Sequence, residues 1–105
     1  MPLTRDFKET VKARVERDPE FRAALLTEAV ELMLEGDVDT GKSVLRDYIN
    51  ATVGFERLAK ETGMPTKSLM RMFGPNGNPR ADNLFSVIKI LQKTSGVRLA
   101  IAAAE

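Results

Sequence analysis

The segment FERLAKETGMPTKSLMRMF (55–73) carries the residues best suited to contact an anion. Lys67 and Arg71 are four residues apart, so a helix places them on one face, and residues 62–81 include no acid to balance them. A like-charged pair at this spacing costs an isolated helix about 0.2–0.5 kcal/mol, whereas a facing phosphate or guanine edge makes the same pair favourable. We therefore interpret the pair as a DNA-contacting group rather than as a solvated face.

The neighbours of this pair extend the predicted DNA contact. Arg71 can donate two hydrogen bonds to guanine O6 and N7, and Thr66 and Ser68 suit a phosphate or a base edge. Met70 is placed to meet a thymine methyl group. The predicted DNA-binding residues, including three from the loop that follows, are Thr66, Lys67, Ser68, Met70, Arg71, Asn76, Asn78 and Arg80.

A second motif, GDVDTGKS (36–43), matches the phosphate-binding pattern G-x-x-x-x-G-K-[ST] letter for letter. That pattern requires a preceding strand, but the segment LLTEAVELMLE before it has helical periodicity, and two aspartates inside the loop would repel a phosphate. The parallel sheet of such a fold needs several βαβ units of ~30 residues each. We expect instead that Gly36 ends one helix, that an Asp or Thr40 caps the next, and that Lys42 is solvated.

The side chains of most catalytic chemistry are absent, because the sequence contains no Cys and no His. Thiol chemistry, Cys/His metal sites and Ser–His or Cys–His pairs are thereby excluded. A catalyst would need paired carboxylates or a lysine in a pocket, yet acids such as Glu28, Glu31 and Glu35 lie at the spacing of a helix surface. We predict that the protein is not an enzyme and uses no metal or cofactor.

Charge is distributed unequally along the chain. Residues 1–54 contain eight Lys/Arg and eleven Asp/Glu, a net charge of −3, whereas residues 55–105 contain eight and four, a net charge of +4. The two halves sum to the net charge of +1. A basic half on a nearly neutral chain favours a local anionic partner.

Hydrophobic periodicity predicts helices through most of the chain. Thr4 and the pair Asp18-Pro19 are start signals for the first two helices. The predicted helices cover about 4–17, 19–35, 40–52, 55–62, 66–73 and 81–94, and the last has an apolar side formed by Leu84, Phe85, Val87, Ile88 and Leu91. After them, Val97, Leu99 and Ile101 alternate with outward residues, which predicts a short strand over 97–102.

A chain of 105 residues is predicted to form one domain. Its parts are an extra N-terminal amphipathic helix (1–18), a helical support (19–53), a helix-turn-helix (55–73), a closing helix (81–94) and the tail strand (97–102). The lone strand has no second strand in the chain to pair with, so we predict that it pairs with its copy in a homodimer.

Two short helices joined by a tight turn need a small residue where they cross and a glycine at the bend, and Ala59 and Gly63 supply them. The predicted scaffold residues are Leu58, Ala59, Gly63, Met64, Leu69 and Met72. This pattern resembles the helix-turn-helix of the lambda-repressor/Cro class, whose second helix enters the major groove. The resemblance implies an all-α fold, a five- to six-helix lambda-repressor-like DNA-binding domain followed by the short C-terminal strand.

Further segments extend the resemblance. With LEGD (34–37) and GNPRADNLFSVIKIL (77–91), residues 28–102 are similar to the addiction-module antidote proteins, the HigA-like antitoxins. That family implies a repressor that binds its own operator as a homodimer and neutralises a small ribonuclease-type toxin. The alternative to tail pairing in the homodimer is that the tail stays loose until such a toxin binds it. Two departures are Pro65, in place of a Ser or Thr cap, and the first ~25 residues, which go beyond the shorter members.

Two other functions are compatible with the same residues: a stand-alone phage-like repressor without a toxin, and a helical protein-interaction module that does not bind DNA. No apolar run approaches the ~18–20 residues that span a bilayer, and the N-terminus lacks the apolar core of a signal peptide. We therefore predict a cytoplasmic protein with no membrane partner.

Overall fold

The computed structural model describes residues 5–104, apart from the side chains of residues 5, 7 and 8. Over this range the chain forms the helices α1 (Arg5–Arg17), α2 (Pro19–Leu34), α3 (Val38–Ala51), α4 (Phe55–Thr62), α5 (Thr66–Met72) and α6 (Ala81–Ser95). The predicted all-α class is confirmed, and no helix within residues 5–104 is long and apolar enough to cross a membrane. The predicted cap at Thr4 lies outside the described residues.

Aspartates set the starts of α2 and α3. Asp18 Oδ1 accepts a hydrogen bond from the backbone N–H of Phe21 (3.2 Å), as an N-cap does. Asp37 Oδ1 accepts from the N–H of Thr40 (3.3 Å) in the same way. Since Asp37 is the cap, α3 begins at Val38, somewhat earlier than predicted.

The hydrophobic core contains buried residues from every helix from α2 to α6. Helix α3 approaches α2 closely at Gly41, where a Cβ would lie 2.9 Å from the carbonyl oxygen of Ala29. Tight helix crossings of this kind admit only the smallest residues. The buried members of the core are Leu26, Ala29, Leu45, Tyr48, Ile49, Phe55, Leu58, Leu69, Phe73, Val87, Ile88 and Leu91.

Tyr48 connects α3 to α6. Its hydroxyl donates a hydrogen bond to Ser95 Oγ (2.5 Å) near the end of α6. Burial raises the pKa of Tyr48 above its ordinary value of 10.0, and this effect outweighs the opposing effects of the Ser95 hydrogen bond and the Arg22 charge.

The predicted C-terminal strand is absent, because residues 97–104 form no regular secondary structure. A strand needs a partner for its backbone groups, and the described chain supplies none. Gln92 holds the start of the segment instead: its backbone carbonyl accepts from the N–H of Val97 (3.1 Å), and its Oε1 accepts from the N–H of Leu99 (2.8 Å). Val97 and Leu99 pack against the core, but Ile101, predicted to point inward, is 86% exposed.

Phe85 is a second departure from the sequence prediction. It was expected on the apolar side of α6, yet its side chain is 65% exposed. The side of α6 that packs on the core is Leu84, Val87, Ile88 and Leu91, which follow the i, i+3, i+4, i+7 spacing of one helix face. Phe85 lies one residue away from that series and is therefore turned off the face.

Candidate nucleic-acid interface

Helices α4 and α5 are joined by a turn over residues 63–65. Gly63 adopts the expected left-handed conformation (φ 76°), and its N–H donates to the carbonyl oxygen of Ala59 (2.9 Å). Residues with a Cβ are strained at such a φ, which is why glycine is favoured here. Thr62 Oγ1 accepts a hydrogen bond from the N–H of Met64 (3.3 Å). The turn therefore fixes the direction in which α5 starts.

Apolar side chains lock the inner faces of α4 and α5 to each other and to the core. The rings of Phe55 and Phe73 lie 6.4 Å apart at an angle of 50°. Among the predicted scaffold residues, Leu58 and Leu69 are buried in the core, Ala59, Met64 and Met72 pack against it, and Gly63 forms the turn. Because its inner face is held in this way, α5 presents one fixed outer face.

That outer face carries the predicted DNA contacts of α5. Lys67, Ser68 and Arg71 are exposed, Met70 is 54% exposed and Thr66 is half-buried. Within residues 5–104, neither Lys67 nor Arg71 has an ion-pair partner or a side-chain hydrogen bond. Two cations without a neutralising acid and one accessible thioether thus share a surface, a combination able to contact phosphates, guanine edges and thymine methyl groups.

The start of α5 lacks a side-chain cap. Pro65 occupies the cap position in an extended conformation (φ −62°, ψ 143°), and the helix begins at Thr66. The departure noted at Pro65 therefore leaves the first N–H groups of α5 without a capping oxygen from the chain.

The loop over residues 74–80, which we call the reading loop, folds back on the C-terminal end of α5. The N–H of Gly74 donates to the carbonyl oxygen of Arg71 (3.1 Å), and the N–H of Gly77 donates to that of Gly74 (3.0 Å). A Cβ on Gly77 would overlap the carbonyl oxygens of Arg71 and Met72. Only glycine allows the backbone to come this near, so the loop lies directly against α5.

The three predicted DNA contacts of the reading loop, Asn76, Asn78 and Arg80, are all exposed. Arg80 differs from the cations of α5 in having an acid nearby, since its Nε lies 3.5 Å from Asp82 Oδ1. Both side chains of this pair are largely exposed, and such surface pairs contribute little. Arg80 can therefore exchange Asp82 for a phosphate at small cost.

Lys42 is not solvated, and the prediction that it would be is wrong. Its side chain is only 4% exposed, and its Nζ donates to the carbonyl oxygens of Gly77 (2.5 Å) and Gly74 (3.5 Å) in the reading loop. Asp39 Oδ1 lies 3.6 Å from the same Nζ. A buried ammonium group requires such partners, because an unpaired charge away from water is costly.

The sequence does contain a signal for the position of Lys42. Lys42 precedes Leu45 by three residues and Ile49 by seven, so all three lie on the buried face of α3. In the structure the segment over residues 36–43 follows a helix rather than a strand, and its lysine is directed at protein carbonyls.

No metal site is apparent in the described part of the chain, where no three Asp or Glu side chains converge on one point. Comparisons with protein-family models, with curated proteins and with solved structures find no match to this chain. A functional assignment must therefore rest on the chemistry of the residues themselves.

Proposed function

We propose that this protein is a sequence-specific DNA-binding transcriptional regulator that inserts α5 into the major groove. The observation that carries the proposal is the outer face of α5, where Lys67 and Arg71 are exposed and unneutralised on a helix whose opposite face is buried. Cations left without an intramolecular partner are available to displace counterions from DNA phosphates, which is the main source of DNA affinity.

In this proposal the helices form a lambda-repressor-like DNA-binding domain, with α4 and α5 as its helix-turn-helix. Arg71 reads a guanine, and Lys67 and the exposed reading-loop residues Asn76, Asn78 and Arg80 contact phosphates and neighbouring base edges. The all-helical architecture and the left-handed Gly63 between α4 and α5 support this assignment.

The protein acts on DNA as a homodimer in this proposal. A two-fold axis places two recognition helices ~34–36 Å apart, as a palindromic operator requires. The exposed Ile101 supports a role for the tail in the dimer, because its side chain and the backbone N–H groups of residues 100–104 have no partners in the described part of the chain. Deleting residues 96–105 is expected to shift the mass in solution from dimer to monomer. A truncated protein that stays dimeric would place the interface on the helices.

The regulator is proposed to be the antitoxin of a toxin–antitoxin pair that represses its own operon in the cytoplasm. This part rests on the resemblance of residues 28–102 to HigA-like antitoxins. Affinity purification of the protein from its source cell is expected to recover a small basic ribonuclease-type toxin. Recovery of operator DNA without such a protein would favour the stand-alone phage-like repressor.

The DNA proposal is tested by fluorescence anisotropy with a random-sequence duplex at several salt concentrations. Log affinity is expected to fall with log salt at a slope near −0.9 for each phosphate that the protein neutralises. Lys67→Ala combined with Arg71→Ala is expected to weaken binding and to flatten the slope by about 2 per chain.

The matched control removes the same charge elsewhere. Lys12 and Arg17 are exposed cations of α1, far along the chain from α5, so the pair Lys12→Ala with Arg17→Ala is expected to leave the slope unchanged. If the wild-type protein does not bind duplex DNA at low salt, the DNA proposal is wrong. The exposed Phe85 would then favour the alternative of a helical protein-interaction module.

A further inference from the structure

The reading loop is held from two sides by contacts that exposed loops rarely have. On one side, the backbone at Gly77 lies so near the carbonyl oxygens of Arg71 and Met72 that a side chain there would overlap them. On the other side, the ammonium group of Lys42 reaches from α3 to the carbonyl oxygens of Gly77 (2.5 Å) and Gly74 (3.5 Å). The loop therefore has one position relative to α5.

Lys42 itself cannot contact DNA through this geometry, because its side chain is 4% exposed and its Nζ is directed at the loop backbone. The exposed side chains of the loop are different ones, namely those of Asn76, Asn78 and Arg80. Lys42 thus holds the backbone of a loop whose exposed side chains are available for contacts that Lys42 itself cannot make.

We propose that Lys42 is a positioning residue for DNA binding, which holds the reading loop in register with Lys67 and Arg71 of α5. The inference rests on the proposed DNA-binding function. A loop already held in its bound position loses less conformational freedom on binding, so affinity rises without any new contact to DNA. The lysine that completes an apparent nucleotide-binding motif serves here to organise a nucleic-acid surface.

The experiment uses the full chain with Lys42→Met, which keeps an unbranched apolar stem of four heavy atoms and removes the ammonium group. Lys12→Met, an exposed lysine of α1, is the matched control. Amide hydrogen exchange on the free protein is expected to be about 10-fold faster at Gly77, whose N–H donates to Gly74, and unchanged in α2. Affinity for random duplex DNA is expected to fall about 10-fold, with a salt slope smaller by about 1.

A double-mutant cycle separates positioning from general stability. In a background carrying Asn78→Ala and Arg80→Ala, the loop has lost two of its three contact side chains, so Lys42→Met is expected to cause a much smaller further loss of affinity. A Lys42→Met protein that melts at a lower temperature but binds DNA with unchanged affinity and salt slope would overturn the proposal. An undiminished effect in the Asn78→Ala, Arg80→Ala background would overturn it as well.

Gly77→Ala provides a second variant in case Lys42→Met does not fold. It displaces the loop from α5 while every charge is kept, and it is expected to reproduce the loss of affinity. Normal affinity in a folded Gly77→Ala protein would contradict the proposal. If the wild-type protein fails to bind DNA, the proposed function fails and this inference with it. Wild-type binding that neither loop variant affects refutes the inference alone.

Discussion

Arg14 of α1 and Arg22 of α2 have contacts within the molecule that the cations of α5 lack. Arg14 lies 4.5 Å from the centre of the Phe21 ring and 3.6 Å from Asp18 Oδ2. Arg22 donates to the carbonyl oxygen of Val15 (2.8 Å) near the C-terminal end of α1. Both arginines pack α1 onto α2, and their charges are occupied within the molecule.

On α5, by contrast, Lys67 and Arg71 are exposed and contact no acid in the described part of the chain. Residues 1–54 and 55–105 each contain eight Lys/Arg, so the number of cations does not distinguish the two halves of the chain. Arg14 and Arg22 have intramolecular partners, whereas Lys67 and Arg71, like Lys12 and Arg17 of α1, have none among the described residues. What distinguishes α5 is the absence of acids around its cations: residues 62–81 contain no Asp or Glu, whereas the unpaired cations of α1 share their helix with acids such as Asp6 and Glu16.

Gly63→Val should have the largest effect on stability, because it disturbs the turn from which α5 starts. A β-branched residue at φ 76° is expected to lower the free energy of unfolding by about 2–3 kcal/mol. Gly63→Asn is the control, since asparagine tolerates the left-handed region better and should cost less. Urea denaturation measures both, and equal stability of the Val variant and the wild type would contradict the assigned turn.

Arg71→Ala should affect binding and leave folding unchanged. Loss of a two-pronged guanine contact is expected to cost about 1–3 kcal/mol in affinity for a selected operator and to relax preference at one base position. Arg17→Ala, an exposed arginine of α1, is the control. A loss of equal size on every DNA sequence would assign Arg71 to a phosphate instead.

Arg22→Ala should do the reverse. Removing the donor to Val15 is expected to lower the free energy of unfolding by about 1–2 kcal/mol, with DNA affinity unaltered. The cost is moderated because the buried Nε of Arg22 has no hydrogen-bond partner to lose. Chemical denaturation and fluorescence anisotropy on the same sample measure stability and DNA affinity. A selective loss of DNA binding would contradict the structural role assigned to Arg22.

Tyr48→Phe tests the hydrogen bond that joins α3 to α6. The pKa of Tyr48 is raised in the folded protein, so its contribution to stability is complete below pH 10.0 and is lost as the pH rises through the folded-state pKa. The Phe variant should lack this alkaline loss, while the missing Ser95 hydrogen bond costs about 1 kcal/mol at neutral pH. Tyr48 is the single tyrosine of the chain, so phenolate absorbance follows its ionisation directly.

Millimolar ATP or GTP with Mg²⁺ should have no effect on the melting temperature. Lys42 is occupied by loop carbonyls, so it is unavailable to a phosphate. A nucleotide at 100 times its dissociation constant would add ~2.7 kcal/mol, which a melting curve resolves easily. A clear upward shift of the melting temperature would contradict this assignment and indicate that Lys42 binds a nucleotide phosphate.

Local signals in the sequence predicted the fold well. The cap at Asp18, the left-handed Gly63 and the helix periodicities all act within a few residues, and they were interpreted correctly. One error is also local, since Phe85 lies one residue away from the buried series of α6. The other errors concern contacts between distant segments. Lys42 finds its partners 35 residues away, and the tail found no strand to pair with in its own chain. Periodicity places a residue on a face, but it does not identify what lies opposite that face.

The distance along the chain between Lys42 and Gly77 also has a consequence for the order of folding. Helices α4 and α5 and the turn between them can form from neighbouring residues, whereas the reading loop acquires its shape only when α3 and the start of α6 have been brought together. In a nascent or partly folded chain, α5 would thus be formed before the reading loop has reached its position beside it. We expect the arrangement of α5 with this loop, and with it the proposed DNA binding, to be completed last in folding.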